Sequence, residues 1–360
     1  MFTAQSFLSS KFSTLNFKLS TLSFKLFAFS FLLSAISLPD CAYAQDPQFS
    51  QYYAAPLYLN PAFAGATHES RAMFNNRYQW VNLPKPFITY AASIDHNFEK
   101  FRSGVGLMAM LDKAGAGALK SASINGMYSF RVNLSSKLVF RPGIQFGYVS
   151  RSIDYYSLTF GSQIDGVPGI PYNVAGKSSS INYFDFGAGF LFYNNKFWMG
   201  MASSHINQPD QSLNTGGNKL PIKTTVHGGV KFFLKEGVHK KKYGEQKERS
   251  ISPTFVYKHQ ENFDQLDLGL YVCYEPVVTG LWYRGIPFKR YNQENFNHDA
   301  IVVMVGVRTD RWGLGYSYDL TISSLTATKT AGAHEFSLSY VFKTRKIIRR
   351  KDMVIPCPKF

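Results

Sequence analysis

RWGLGYSYDL, residues 311–320, sets apolar Trp312, Leu314, Tyr316, Tyr318 and Leu320 against Arg311, Gly313, Gly315, Ser317 and Asp319. A period of two puts the two sets on opposite faces of an extended strand. The same beat returns in His334, Phe336, Leu338, Tyr340 and Phe342, with Glu335, Ser337 and Ser339 between them. Upstream, Phe184, Phe186, Ala188, Phe190 and Phe192 share one face while Asp185, Gly187 and Gly189 take the other. A soluble sandwich alternates too, but its apolar faces need a second sheet to cover them. Strand after strand here pairs a large aromatic face with a small or charged one. That is the pattern of an all-β, transmembrane antiparallel barrel of the outer-membrane type, with lipid covering the aromatic exterior.

Working outward, the chain yields fourteen candidate strands: 71–80, 87–98, 103–112, 118–132, 136–152, 180–193, 196–205, 222–235, 250–260, 266–274, 277–286, 299–308, 311–320 and 333–343. Most are long enough for a tilted strand to cross a bilayer, which takes roughly 9–11 residues. Short turns (Glu99 to Arg102, Asn133 to Ser135, Asn194-Asn195, Glu275-Pro276, Asp310) alternate with longer connections at 153–179, 206–221, 287–298 and 321–332. Such asymmetry is expected of periplasmic turns and extracellular loops, and it would leave both termini periplasmic. Two connections break the rule. Residues 236–249 form a long basic loop on the short-turn side, and Glu261 to Gln265 is short where a loop should be long. Either the strand count slips there or the basic loop has a role.

Charge on a lipid-facing position is costly, so Arg141, Lys231, Asp267, Arg311, Asp319 and Glu335 are expected to point inward. A fourteen-stranded lumen is too wide for its own side chains to fill and must hold water or a plug. Composition agrees with a membrane barrel. The 360 residues are 45% hydrophobic, 16% aromatic and only 17% charged. Mean hydropathy is −0.15, because alternation hides apolarity from an average.

Residues 1–44 have the form of an export signal, with Lys11, Lys18 and Lys25 before the apolar Leu26 to Leu38 and a small-x-small site at Ala42-Tyr43-Ala44. Cleavage after Ala44 would begin the mature chain at Gln45. Pro39 and Asp40 make Cys41 a poor lipoprotein site. Residues 45–70 carry Pro47, Pro56 and Pro61, which argue against a long helix or a central strand. Phe49, Tyr52, Tyr53, Leu57, Tyr58, Leu59 and Phe63 nevertheless need burial, so the segment is expected inside the barrel mouth or against its periplasmic rim. The barrel would then occupy 71–343 and a basic periplasmic tail 344–360.

The net charge of +16 is concentrated. Lys240, Lys241 and Lys242 crowd the 236–249 loop; Lys343, Arg345, Lys346, Arg349, Arg350 and Lys351 crowd the tail. Nucleic acid is excluded by export, whereas anionic outer-membrane lipid or an acidic protein surface fits the location. Ile347, Ile348, Val354 and Ile355 could anchor a docked tail, or the tail could be a solvated extension.

The opening DPQFSQYYAAPLYLNPAFAG (Asp46 to Gly65) resembles the start of the mature PorP/SprF family. Arg77-Tyr78-Gln79-Trp80, the stretch Gly313 to Phe342 and the ending Cys357-Pro358-Lys359-Phe360 resemble it too. The resemblance implies an outer-membrane barrel of the type IX secretion and gliding machinery. It further implies export or surface anchoring of a large cargo protein such as an adhesin, with a periplasmic peptidoglycan-binding lipoprotein and type IX components as partners. Candidate partner-binding residues are Asp46, Pro47, Phe49, Tyr52, Tyr53, Asn60, Pro61, Lys240, Lys241, Lys242, Arg349 and Arg350. The alternative is an outer-membrane channel for small solutes.

Catalytic signals are missing from the sequence. Eight histidines are scattered without metal-site spacing, and neither a G-x-S-x-G elbow nor a phosphate-binding loop occurs. The sequence therefore predicts no enzyme activity, no cofactor and no metal. Gly104-x-Gly106 and Gly313-x-Gly315 lie inside strands as small inward residues. Cys273 and Cys357 both fall toward the periplasmic end, where they could form a disulfide pinning the tail or remain two thiols.

Overall fold

The last strand of the chain hydrogen-bonds to the first. In the computed structural model Ser70 lies opposite Phe342, Arg77 opposite Glu335 and Gln79 opposite Ala333, antiparallel throughout. Residues 46–115, 119–154, 179–213, 217–235, 248–292, 295–323, 327–342 and 355–358 are described. By contacts the chain divides into Met1–Asp46 and Pro47–Phe360, and every strand belongs to the second unit.

Its strands are β1 (Ser70–Gln79), β2 (Phe87–Phe98), β3 (Ser103–Ala114), β4 (Leu119–Phe130), β5 (Val139–Ile153), β6 (Ser179–Tyr193) and β7 (Phe197–Ser204). Then come β8 (Lys223–Val230, resumed as Phe232–Lys235), β9 (Arg249–Gln260), β10 (Phe263–Tyr274), β11 (Val277–Asn292), β12 (Asn295–Arg308), β13 (Trp312–Thr321) and β14 (Ala333–Phe342). Each pairs with its sequence neighbours, which gives a closed meander of fourteen staves. Val132–Asn133 adds a short pairing beside β5. Closure leaves no unpaired edge, a requirement for a sheet in hydrocarbon.

Alternation places the faces as the sequence predicts. Leu314 is 57% exposed and Trp312 51%, whereas Asp319 is 2% exposed. Arg141, Lys231, Asp267 and Glu335 are buried inside, and so is Asp185. Arg311 is the exception: it lies in the turn before β13 and is exposed, since the strand starts one residue later than expected.

The expected loop at 287–298 is mostly strand, because β11 runs to Asn292 and β12 begins at Asn295. Pairing is a backbone property, so a polar sequence continues the ladder in water. The register shifts at Gly285 (φ 145°) and again beyond Ile286 show that it does so irregularly. The strand count does not slip near Glu261. β9 and β10 close on a tight turn at Glu261-Asn262, with Gln260 opposite Phe263. The basic residues Lys240, Lys241 and Lys242 lie outside the described residues, as do Arg349 and Arg350.

The rim where β1 begins and β14 ends also carries the turns at 99–102, 194–196, 275–276 and 309–311; we call it the lower rim. At the upper rim β1, β3, β5, β7, β9, β11 and β13 end, and the connection at 80–86 and the turn at 261–262 lie there.

Candidate functional site: the occupied lumen

Pro56 and Pro61 each open a short turn, Pro56–Leu59 and Pro61–Phe63, at a first position where the missing N–H would have no helical partner anyway. Asn60 caps the second turn by accepting from the Ala62 N–H at 2.9 Å. These compact turns, with Tyr52–Ala54, let a narrow chain present aromatic side chains in several directions. Phe49, Tyr52, Tyr53, Leu57, Leu59 and Phe63 are all buried. Most pack in one cluster with wall residues that include Met108, Met127, Tyr193, Trp198, Tyr271 and Trp282. The N-terminal segment thus lies in the lumen.

Polar contacts fix it at three heights. Near the upper half, the Ser50 Oγ–H donates to Asp319 Oδ2 at 2.6 Å and accepts from Arg77 at 2.8 Å and Arg284 at 2.7 Å. Glu335 accepts from the backbone N–H groups of Ser50 (2.6 Å) and Gln51 (3.1 Å). Around them Arg77 pairs with Asp319 at 2.8 Å and Glu335 at 3.3 Å. Arg284 pairs with Asp267 and Asp319, both at 3.1 Å. The Tyr52 hydroxyl donates to Asp267 and accepts from Lys258 at 3.2 Å. Burial, reinforced by the Asp267 charge, holds this phenol well above its ordinary range, so it stays a donor.

Midway, the Asn60 amide donates to the carbonyls of Phe190 (3.1 Å) and Met201 (3.2 Å) and lies 3.2 Å from His227 Nε2. Lower down, Arg141 donates to the carbonyls of Ala64 (2.7 Å) and Gly65 (2.8 Å), and the Gly65 N–H donates to Asp95 at 3.0 Å. The wall is cut to admit this backbone. A Cβ on Gly104 would stand 2.2 Å from the Ala64 carbonyl oxygen, and one on Gly143 would stand 2.5 Å from the Ala62 nitrogen. Gly104 therefore makes room for a chain rather than for water.

The other end of the polypeptide returns to the same space. Ile355, Pro356, Cys357 and Pro358 are buried, and Ile355 and Cys357 join the cluster containing Tyr53, Val139, Trp198 and Val278. Trp198 donates its indole N–H to the Tyr53 hydroxyl at 2.9 Å. Pro358 lines a crevice with Lys231, Glu248, Ser250, Tyr271 and Cys273. There Lys231 meets Glu248 at 2.6 Å, and Arg308 lies 3.6 Å from both Glu248 and Glu275. Burial pushes the Glu248 carboxyl up, but Lys231 and Arg308 outweigh it and hold the group below its ordinary value. Cys273 and Cys357 lie at this end as expected, but no disulfide joins them.

Of the residues singled out for partner binding, Phe49, Tyr52, Tyr53, Asn60 and Pro61 come together, facing the barrel wall and not solvent. Pro47 accepts from the Tyr58 hydroxyl, and both it and Asp46 are half-buried. Sequence reasoning missed the inward Trp198, Tyr271 and Trp282. Its available signal was FWMGM (Phe197–Met201), where alternation fails because both faces are apolar. Among the described residues no group of His, Cys, Asp and Glu has metal-holding geometry.

Comparison with curated proteins gives no significant match. Among solved structures the chain is similar to the CymD monoaromatic hydrocarbon channel at 11% identity, over 81% of this chain and 94% of that one, with a TM-score of 0.46. It is similar to the toluene transporter TbuX of Ralstonia pickettii at 11% identity over the same shares, with a TM-score of 0.43. BamA of Haemophilus ducreyi lacking POTRA domains 1–3 gives 10% identity over 77% of this chain and 71% of that one, with a TM-score of 0.38. Likenesses this distant carry no argument about function, and closure of the barrel stands on its own hydrogen-bond register. The family described as type IX secretion system membrane protein PorP/SprF matches residues 42–340, which include the lumen segment and all but the end of β14. The chain belongs to the PorP/SprF family of type IX secretion system membrane proteins.

Proposed function

We propose that this outer-membrane component of type IX secretion acts as an accessory for export or surface anchoring of one large cargo protein, such as an adhesin. Residues 1–44 are removed after Ala44, residues 45–70 form the plug, 71–343 the barrel and 344–360 a periplasmic tail. The lower rim then faces the periplasm, where 236–249 and the tail couple to a peptidoglycan-binding lipoprotein and other secretion components. Of the connections expected on the extracellular side, 153–179, 206–221 and 321–332 engage the cargo.

The observation carrying this reading is the filled lumen. Ser50, Gln51 and Asn60 are fully or almost fully buried, and each hydrogen-bonds to the wall. Buried charge-assisted bonds are strong, and breaking one side leaves an uncompensated charge. A channel for small solutes needs a standing water path, and residues 49–64 pack in the lumen where it would run. Deleting the gene should leave one or a few large surface proteins unexported while general secretion continues. An unchanged surface proteome would sink the cargo role. Steady solute-selective conductance of the intact protein in planar bilayers would favour the channel instead.

A further inference from the structure

Lys100, Arg102, Lys137, Lys196 and Arg311 are exposed on the lower-rim turns after β2, β4, β6 and β12. Among the described residues none of the five pairs with a carboxylate. Among the described carboxylates of that rim, Glu99 meets His68 at 3.6 Å, Glu248 meets Lys231 and Arg308, Glu275 meets Arg308, and Glu69 is half-buried beside the start of β1. Asp310 is engaged as well. Glu248 lines the crevice at the lumen mouth with Arg308, and the five cations keep no carboxylate partner among the described residues although Glu99 and Asp310 share their turns. The upper rim differs, since its lysines are interleaved with Asp210, Asp264 and Asp299. Lys219 stands opposite Asp210 in an isolated backbone pairing, where the Ser212 hydrogen bonds, helped by the Lys219 charge, hold the Asp210 carboxyl below its ordinary value.

Each rim cation also has an apolar neighbour that belongs to the lipid-facing belt. Lys100 Nζ lies 5.8 Å from the ring centroid of Phe101, which is 65% exposed. Leu134 shares the turn of Lys137, Phe197 follows Lys196 and Trp312 follows Arg311, all three exposed. Arg249, at the same rim, covers the Tyr274 ring at 4.4 Å and donates to its hydroxyl at 2.7 Å. An acidic soluble protein would satisfy the cations and leave the apolar side chains bare. The boundary between headgroup and acyl chain satisfies both at once.

We propose that the lower rim is a binding collar for anionic phospholipid, in which Lys100, Arg102, Lys137, Lys196 and Arg311 contact headgroup phosphates of the adjacent leaflet. The collar stands independently of the cargo reading. It is tested with the full mature chain in nanodiscs of equal phosphatidylglycerol and phosphatidylcholine, counting by mass spectrometry the lipid retained after partial delipidation. A basic side chain at an anionic surface favours it on the order of fivefold. The wild type should therefore retain phosphatidylglycerol on the order of fivefold over phosphatidylcholine. The variant Lys100→Gln/Arg102→Gln/Lys137→Gln/Lys196→Gln/Arg311→Gln should fall to parity. The upper-rim variant Lys113→Gln/Lys120→Gln/Lys219→Gln should match the wild type. If the five-site variant does not fold, Lys100→Gln/Arg102→Gln and Lys196→Gln/Arg311→Gln should each lose part of the enrichment. No enrichment in the wild type, or equal enrichment in the lower-rim variants, overturns the proposal. So does its abolition by inorganic phosphate matched to the lipid phosphorus, which would make free phosphate the ligand.

Discussion

Ser50, Gln51 and Tyr52 meet Arg77, Arg284, Asp267, Asp319 and Glu335, whereas Tyr53 and the returning Ile355 and Cys357 meet Trp198, Tyr271 and Val278. The upper contact is directional and charged; the lower one is mostly apolar and ends in four residues from the far terminus. Charged networks tolerate little rearrangement, because an ion that loses its partner stays buried and unpaired. Apolar contacts are proportional to area and can be made and broken without leaving an orphan. The difference predicts that breaking the upper contact costs more than breaking the contact between Tyr53 and the returning residues.

The largest break in this comparison is expected at Arg284, which holds Asp267, Asp319 and the Ser50 hydroxyl. Arg284→Met leaves two carboxylates short of a partner and should cost about 3–5 kcal/mol, read from guanidinium unfolding of the protein in liposomes. Adding Asp319→Asn should return part of that loss. Fully additive losses would show that the network is not coupled. The plug would also loosen, and single-channel recordings should show openings absent from the wild type.

Gly104→Ala sharpens the same point from the wall side. Its Cβ meets the Ala64 carbonyl oxygen, a backbone atom, at 2.2 Å, so the plug must shift at about 1–3 kcal/mol. A neutral outcome would mean the segment does not lie this close to β3. At the lower end, Ile355→Val should cost only about 0.5–1.5 kcal/mol with no change in conductance. A loss as large as that of Arg284→Met would erase the distinction between the two contacts.

Much of the wall was legible because lipid imposes a strict period of two: Phe184, Phe186 and Leu314 had to face out, and Asp185, Asp319 and Glu335 in. The contents of the lumen were less so. Prolines and aromatics in 47–63 signalled a buried, irregular segment, but nothing local says that Asn60 meets the Phe190 and Met201 carbonyls, 130 and 141 residues away. Ile355 was legible as a residue needing an apolar partner, but not its place in the cluster with Tyr53; Ile347, Ile348 and Val354 lie outside the described residues. The hairpin across 292–295 was hidden because strand pairing in water leaves no apolar trace. Arg311 was misplaced by one residue, which is enough to move a side chain from a strand face to a turn.

The smallest expected effect lies where the tail meets the wall. Glu248 is held below its ordinary carboxylate value in the folded barrel, although burial alone would raise it. A carboxyl with a lowered folded value stabilises at pH above its unfolded value, and that contribution disappears as pH falls through the folded one. At pH 7 the wild type should therefore melt above Glu248→Gln. The gap should begin to narrow near the ordinary value of 4.5 and close below it, once Glu248 is protonated in both states. Lys231→Met removes the partner at 2.6 Å and should flatten this acid dependence without touching the Arg284 network. A gap that persists at the lowest pH would mean that Glu248 acts through packing and not through its charge.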